Sequence, residues 1–254
     1  MLEIIQLAVL TDNYIYIIHD PVSTQTAVVD PAIAEPVIAT LEKKGWRLNY
    51  ILNTHHHSDH TGANLELKQK THCKILGSAA DYERIPGIDI KLQQGDKIKL
   101  GNQQAQVIET PGHTLGHIVY HFASSYALFC GDTLFSMGCG RLFEGSAEQM
   151  WQSLQQIKQL AKTTRIYCTH EYTEANGKFA LTLEPNNSQL LQRMEQVKQL
   201  RTNQQATVPS TLEQELATNP FLRENSSAIQ QSINMTGQTN VEIFSKIRQL
   251  KDNF

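Results

Sequence analysis

The stretch that decides the fold reads Thr54-His55-His56-His57-Ser58-Asp59-His60 and holds four histidines and one aspartate. It follows the short apolar run Tyr50-Ile51-Leu52, which predicts a buried strand. The cluster therefore lies where a strand ends in a loop, and loops on a rigid scaffold often carry function. Residues two apart on an extended segment point the same way, so His55 and His57 can face one point together.

Asp59 and His60 follow as the chain turns, and they can reach a second point beside the first. Imidazole and carboxylate groups suit zinc, iron(II) or manganese. The alternative interpretation is a polar loop that is rich in histidine, or an adventitious metal site. A lone His-x-His would leave that alternative strong, whereas the full His-x-His-x-Asp-His string favours a functional metal site.

The string resembles the signature of the metallo-β-lactamase superfamily, which implies further ligands downstream, each on a loop after a strand. Three residues meet this expectation, because His113, Asp132 and His170 each follow a predicted strand. A site of three imidazoles needs one more nitrogen, which His113 supplies, and a carboxylate has two oxygens with which to bridge two metals. The alternatives are a turn histidine for His113 and a turn or helix cap for Asp132. The candidate ligands are His55, His57 and His113 for one metal, Asp59, His60 and His170 for the other, and Asp132 between them.

Strands alternate with helices in a mixed order, which by itself predicts an α/β or α+β protein. The superfamily resemblance is more specific and implies an αββα sandwich. After His170 the strand signals vanish and helical patterns follow, such as Ser188–Leu200 with Leu190, Leu191, Met194, Val197 and Leu200 on one face. We therefore expect a catalytic domain over residues 1–170 and a small all-helical substrate-binding domain over residues 171–254.

Net charge, apolar runs and cysteine spacing indicate which partners and which compartment to expect. The 254 residues carry a net charge of −3, so no electrostatic argument for nucleic acid or an anionic membrane arises. No apolar run approaches the ~20 residues of a membrane span, and the N-terminus reads as a first strand without a signal or transit peptide. The four cysteines form no Cys-x-x-Cys pair, which favours reduced, packed thiols in a cytoplasmic protein. We expect a monomer that acts on a small molecule.

Several stretches together resemble one family more closely, the glyoxalase II family of hydroxyacylglutathione hydrolases, over essentially the whole chain. They are Thr54–His60, Thr110–His117, Gly138–Gly145, His170-Glu171-Tyr172, Asn219–Arg223 and Arg248–Asp252. The resemblance implies hydrolysis of S-D-lactoylglutathione to D-lactate and glutathione, the second step of methylglyoxal detoxification. Two divalent metal ions, preferably zinc but also iron or manganese, would share the attacking hydroxide. The chemistry is assigned to His55, His57, Asp59 and Asp132, with Asp59 placed to orient the hydroxide or take its proton.

The resemblance also implies the residues that contact glutathione, which are Arg141, Phe143, Tyr172, Arg248 and Lys251. Glutathione bears two carboxylates, and arginine and lysine are their complements. From the pattern alone, Arg248 and Lys251 would be a solvated face of the last helix. The family can carry Lys and Tyr where this chain has Arg141 and Phe143, so Phe143 offers no hydroxyl group. It also often has Gly-Gly where this chain has Gly62-Ala63.

Other functions fit part of the pattern. A persulfide dioxygenase or a lactonase is the alternative enzyme, but a mononuclear iron oxygenase would not need Asp59, His60 and His170 as a second site. A β-lactamase or a nucleic-acid-processing relative is also conceivable, and the lack of a basic patch disfavours the nuclease. A non-catalytic metal-binding or scaffold protein would lack one or more ligands, and none is missing here. A count of about two metal ions per chain would favour hydrolysis.

Overall fold

The computed structural model describes all residues from 1 to 254. The chain forms two compact units. The first comprises Met1–Glu109 and Leu115–Gly131, and the second comprises Thr110–Thr114 and Asp132–Phe254. These are units of packing, and the predicted boundary between functional domains at residue 170 stays a prediction.

The first unit contains a six-stranded sheet whose strands follow one another in chain order. Its strands are β1 (Glu3–Val9), β2 (Asn13–Asp20), β3 (Gln25–Val29), β4 (Leu48–Leu52), β5 (Lys74–Ser78) and β6 (Ile90–Leu92). Neighbours are antiparallel from β1 to β3 and parallel from β3 to β6. The predicted first strand and the predicted strand before the histidine loop are therefore confirmed.

A second sheet of the same unit packs against the first. This unit contributes four strands to it, each antiparallel to the next, which are β7 (Lys97–Leu100), β8 (Gln103–Glu109), β9 (Ile118–Phe122) and β10 (Ala127–Gly131). The rings of Tyr16 and Phe129 lie 5.6 Å apart across the interface between the sheets. The buried Tyr120 hydroxyl donates a 2.8 Å hydrogen bond to the carbonyl oxygen of Asn53, directly before the histidine loop.

Helices cover the other face of the first sheet. They are α1 (Glu35–Lys44), α2 (Ser58–Thr61) and α3 (Asn64–Thr71). Val37 and Leu41 of α1 and Leu67 of α3 share one buried apolar cluster with Ile51 of β4. This packing holds the strand that leads into the histidine loop.

The second unit is mostly helical. Its strands are β11 (Leu134–Phe135), β12 (Gly138–Cys139), β13 (Arg165–Cys168) and β14 (Ser210–Thr211), and its helices are α4 (Ala147–Lys158), α5 (Thr173–Leu183), α6 (Ser188–Thr202), α7 (Leu212–Thr218), α8 (Ser227–Ser232) and α9 (Asn240–Asp252). Helices α4 and α9 each begin with a capping box, formed by Ser146 with Gln149 and by Thr239 with Glu242. No helix is both long and apolar enough to cross a bilayer. All four cysteines are buried, and no disulfide joins them.

Two expectations about this unit are wrong. Strand β14 lies beyond His170, where the strand signals of the sequence end, and it pairs antiparallel with β13. On α6, Leu191 is exposed, and the buried positions are Leu190, Arg193 and Val197. The glycine-rich stretch Gly138–Gly145 begins with β12, which forms an antiparallel hairpin with β11.

Arg193 is buried because it meets a matched acceptor. It forms an ion pair with Glu215 of α7, which is fully buried, and its guanidinium also donates to the Ser136 hydroxyl at 2.8 Å. The Glu215 carboxylate in turn accepts the backbone N–H of Met137 at 2.8 Å and the Asn219 side-chain amide at 3.1 Å. One charged pair therefore fastens two helices to the β11–β12 hairpin.

Replacing Arg193 by Met should lower the free energy of unfolding by about 3–5 kcal/mol, since the buried Glu215 carboxylate would lose its counter-charge. Lys198→Met, an exposed position on the same helix, should change it by less than about 0.5 kcal/mol. Urea unfolding followed by circular dichroism measures both. Equal losses in the two variants would contradict the role assigned to this pair.

Candidate metal centre and substrate cavity

The histidine loop leaves β4 and is fixed at its base by the backbones of two other strands. The Asn53 N–H donates to Leu76 O at 2.9 Å, and the Ile118 N–H donates to Thr54 O at 2.9 Å. The loop therefore starts from a rigid position, which a set of ligands needs if it is to be preorganised.

Asp30, at the end of β3, anchors the loop from behind. Its carboxylate is 1% exposed and accepts the Thr54 N–H at 2.8 Å and the Thr54 hydroxyl at 2.7 Å. The same carboxylate lies 3.1 Å from Nδ1 of His60. Because a carboxylate can only accept, His60 donates from Nδ1 and keeps its lone pair on Nε2.

The same logic extends to His55. The Thr54 hydroxyl gives its only proton to Asp30, so its oxygen accepts from Nδ1 of His55, 3.0 Å away. The Nε2 atom of His55 therefore carries a lone pair, and it lies 3.1 Å from Nδ1 of His57. Two nitrogen ligands of one tetrahedral zinc ion, each at about 2.05 Å, are about 3.3 Å apart, so this pair fits one metal ion. His117 stacks on the other side of the buried His55 ring, at 4.8 Å.

Asp59 lies beside His60 on the accessible side of the loop. Its Oδ2 is 3.4 Å from Nε2 of His60, and the Asn13 side-chain amide donates to the same oxygen at 3.0 Å. The Asp59 side chain is 39% exposed, so solvent reaches it. The first unit thus brings together His55, His57, Asp59 and His60, as the sequence predicted.

The second unit places Asp132 between two histidines. Its Oδ2 lies 3.5 Å from Nε2 of His113, and its Oδ1 lies 3.4 Å from Nε2 of His170. Both separations exceed the 2.7–3.2 Å of an ordinary N–H···O hydrogen bond and suit two ligands of a shared metal ion. The Thr169 hydroxyl donates to Oδ1 at 2.7 Å and fixes the carboxylate plane. A carboxylate whose two oxygens face different histidines has the geometry of a bridging ligand.

His113 is oriented by the glycine-rich stretch. Its Nδ1 donates to the carbonyl oxygen of Arg141 at 2.9 Å, which leaves Nε2 as the ligand atom. Gly140 allows this close approach, since a Cβ there would lie 2.0 Å from the Asp132 carbonyl oxygen and 3.1 Å from Nδ1 of His113. The glycine-rich stretch therefore orients His113 through its backbone, while the Arg141 side chain lines the cavity described next.

A cavity of about 410 Å³ opens in the second unit beside His113 and Asp132. The five residues expected to contact glutathione all line it, and they are Arg141, Phe143, Tyr172, Arg248 and Lys251. Burial lowers the pKa of Lys251, and the nearby guanidinium groups of Arg248 and Arg141 lower it further. Three cations thus meet in one cavity, where a polyanionic ligand would relieve their repulsion.

The aromatic lining stands close to the histidines. The Tyr172 ring stacks on His170 with centroids 4.8 Å apart and planes 3° from parallel. Phe143 lies edge-on to His113 at 5.1 Å and is 64% exposed, so most of its surface remains open to a ligand.

Arg248 is buried, so the interpretation from pattern alone, a solvated face of the last helix, is wrong for it. It is 5% exposed, donates from Nη1 to the carbonyl oxygen of Cys139 at 2.9 Å and pairs with Asp252. Burial raises the pKa of the Cys139 thiol to about 11, although Arg248 opposes this shift. A protonated thiol is a poor nucleophile, so the cavity offers no cysteine for covalent catalysis at neutral pH.

Sequence reasoning missed the residues that hold the candidate ligands in place. Asp30 has the same signal as Asp132, an acid directly after a strand, yet it is not among the residues predicted from the sequence. Asn13 and Thr169 carried no comparable signal, since isolated Asn and Thr residues are common at turns. Phe135 and Asn176, which also line the cavity, were missed because long-range packing brings them there.

Two family models divide the chain between them. Residues 10–170 match the metallo-β-lactamase superfamily, and residues 171–254 match the C-terminal region of hydroxyacylglutathione hydrolases. The chain is 54% identical to the hydroxyacylglutathione hydrolase of Methylococcus capsulatus over 254 residues, which cover 100% of this chain and 99% of that protein. The resemblance therefore extends over the whole chain and is not confined to the histidine motif.

Solved structures agree on the fold. The crystal structure of ETHE1 from Myxococcus xanthus has a TM-score of 0.71 at 23% identity, covering 97% of this chain and 90% of that one. TTHA1623 in a di-iron-bound form has a TM-score of 0.63 at 22% identity, covering 87% and 100%. The predicted metallo-β-lactamase fold with a C-terminal helical region is confirmed. The chain belongs to the hydroxyacylglutathione hydrolase family of the metallo-β-lactamase superfamily.

Proposed function

We propose that this protein hydrolyses S-D-lactoylglutathione and related S-2-hydroxyacylglutathiones to glutathione and the free hydroxy acid. The observation that carries the proposal is Asp132, whose two oxygens face His113 and His170 beside a cavity lined by three cations. Relatedness over the full length to hydroxyacylglutathione hydrolases supports the substrate class. We expect a monomer in the cytoplasm.

We further propose that two divalent metal ions occupy the seven predicted ligands, which are His55, His57, Asp59, His60, His113, Asp132 and His170. The donors fit, because hydrogen bonds hold the lone pairs of His55, His60 and His113 on Nε2. Bound ions would supply Lewis acidity, which lowers the pKa of water towards about 7 and polarises a carbonyl. Zinc is the preferred metal, and iron or manganese suits the same donors. A protein of this fold, TTHA1623, has a di-iron form.

The chain's own residues orient the reactants and move the proton. Asp59 is held at Oδ2 by Asn13 and is accessible to solvent, so it is placed to take the proton of the attacking water. The water oxygen bonds to the acyl carbon, the carbon–sulfur bond breaks, and the sulfur leaves as the glutathione thiolate, which then takes a proton. Cys139 cannot compete as the nucleophile, because its pKa of about 11 keeps it protonated.

The cavity would hold the glutathione part of the substrate. Arg248 already donates to the Cys139 carbonyl and to Asp252, so it mainly holds the wall of the cavity in place. Arg141 is exposed at the rim and Lys251 is half-buried, so these two carry the charge that faces a ligand. Tyr172 and Phe143 offer ring surface to the apolar part of the tripeptide.

A persulfide dioxygenase or lactonase remains the alternative enzyme, which the full-length relatedness to hydroxyacylglutathione hydrolases disfavours. The deciding assay offers S-D-lactoylglutathione, a glutathione persulfide and a lactone to the same preparation. Thioester hydrolysis without oxygen uptake supports the proposal, whereas oxygen uptake with the persulfide alone would replace it.

Removal of the bridging carboxylate should strip the centre of metal. In Asp132→Ala, elemental analysis should show a fall from about two metal ions per chain to fewer than one, with loss of turnover. Thr169→Val removes only the hydroxyl that braces Asp132, so it should keep the metals but bind them about 10- to 100-fold more weakly. An Asp132→Ala protein that retains two metals would disprove bridging.

Removal of the Arg141 side chain should weaken substrate binding and spare the chemical step. A hydrogen bond to a charged group is worth roughly 1.5–3 kcal/mol, so Arg141→Ala should lower kcat/KM about ten- to a hundredfold, mainly through KM. The Arg141 carbonyl that holds His113 is retained in this variant. The loss should shrink in high salt. A loss confined to kcat, equal for glutathione and neutral thioesters, would place Arg141 in the chemical step instead.

Substitutions of the two cations of α9, Arg248 and Lys251, should differ in their effect on stability. Lys251→Met should raise KM for the glutathione thioester several-fold without lowering the melting temperature. Arg248→Met should raise KM and also destabilise the protein by about 1–3 kcal/mol, because it leaves the Cys139 carbonyl without its donor. Steady-state kinetics and thermal unfolding of both variants provide the comparison. An unchanged KM in both would remove α9 from the binding site.

A further inference from the structure

We propose a second ligand site on the first unit, for a small phosphate-type anion, formed by Arg47, Tyr50, His72 and Lys74. None of these residues belongs to the histidine loop or to the substrate cavity. The site is independent of the proposed hydrolysis, and its function would be to bind inorganic phosphate or the phosphate group of a phosphomonoester.

A cavity of about 180 Å³ lies at the start of two neighbouring parallel strands. Tyr50 of β4 is directly opposite Lys74 of β5 in the strand register, and Arg47 and His72 lie on the two connections that lead into these strands. The histidine loop leaves the opposite end of β4. Five residues at about 3.3 Å each separate the two ends by about 16 Å, so the sites are distinct.

The cavity gathers positive charge that the protein does not neutralise. No carboxylate lines it, and Arg47, His72 and Lys74 take part in no ion pair or side-chain hydrogen bond. Two of the lysines nearby are paired, since Lys44 meets Glu3 at 2.7 Å and Lys68 meets Asp89 at 2.7 Å. What distinguishes Arg47, His72 and Lys74 is that three unpaired basic side chains line one small cavity.

Stabilisation of helix ends does not explain the group. Lys43 and Lys44 lie in the last turn of α1, and Lys68 and Lys70 lie in the last turn of α3, where cations favourably meet the helix dipole. Arg47 and Lys74 lie outside both helices, so this effect does not hold them there. Lys74 is close enough to lower the pKa of Asp89, but the Asp89 carboxylate already accepts from Lys68 and from the Ile75 N–H at 2.8 Å.

The donors suit a tetrahedral oxyanion better than a carboxylate. A guanidinium can bind two oxygens in parallel, an ammonium binds a third as a point charge, and the Tyr50 hydroxyl and the His72 ring provide further donors. The cavity is smaller than the roughly 300–1,000 Å³ of a typical site for a whole cofactor. Arg47, His72 and Lys74 are exposed, so the site is an open depression that would hold only the phosphate group at the surface.

The test is titration of the metal-loaded protein with potassium phosphate, at ionic strength held constant with potassium chloride. Binding is followed by calorimetry and by the nuclear magnetic resonance signals of the His72 ring. The double variant Arg47→Gln, Lys74→Gln should weaken phosphate binding at least tenfold and leave thioester hydrolysis unchanged. The matched control is Lys97→Gln, Lys99→Gln, which removes two exposed lysines of β7 and should bind like the parent.

Each outcome decides the matter. Binding that survives the double variant and competes with the thioester substrate would assign the phosphate to the substrate cavity and overturn the proposal, as would no binding at all. An equal loss in both double variants would show general attraction to positive charge, which also overturns it.

If the double variant does not fold, Arg47→Gln alone must still weaken binding several-fold. Methyl phosphate binding as tightly as inorganic phosphate would identify a phosphomonoester as an acceptable ligand. Failure of this site leaves the hydrolysis assay untouched.

Discussion

The histidine loop depends on one buried carboxylate, Asp30, whose oxygens need hydrogen-bond donors. Burying a charge without donors costs several kcal/mol, so Asp30 can remain inside only while the Thr54 N–H, the Thr54 hydroxyl and His60 donate to it. Those donors fix the loop backbone, and they also fix the tautomer of His60 directly and that of His55 through Thr54. A group that touches no substrate thus decides which nitrogen atoms are available to a metal.

The second unit orients its candidate ligands with neutral groups, one acceptor and one donor. The Arg141 carbonyl holds His113, and the Thr169 hydroxyl holds Asp132, so a metal would meet ligands already turned toward it. Preorganisation of this kind costs nothing at the moment of reaction, which is where electrostatic catalysis gains most. The candidate centre therefore needs the glycine-rich stretch as well as the ligands, since a Cβ at Gly140 would collide with the Asp132 carbonyl oxygen and crowd His113.

The sequence predicted the features that local patterns encode. A short apolar run located the strand before the histidine loop, and polar residues after strands located the candidate ligands, because a scaffold presents its functional groups there. The prediction failed where contacts between residues distant in sequence determine the structure. Helix α5 carries Gly177, a poor helix former, because a Cβ at that position would lie 2.0 Å from Met194 Sδ. Arg193 and Arg248 are buried by partners far away in sequence, and periodicity alone reads such residues as solvent-exposed.

The hydrogen bond between Arg248 and the Cys139 carbonyl joins residues 109 positions apart, and it closes the wall of the cavity. Contacts of such long range form late in folding, because their loop-closure entropy is not repaid until the intervening structure exists. The wall of the cavity therefore depends on the docking of α9 against the β11–β12 hairpin. A molecule whose final helix has detached would still display that hairpin and the turn at His170, yet it would lack the part of the cavity wall that Arg248 and Lys251 form. Loss of the cavity would consequently reveal local unfolding of this unit before its helix content changed much.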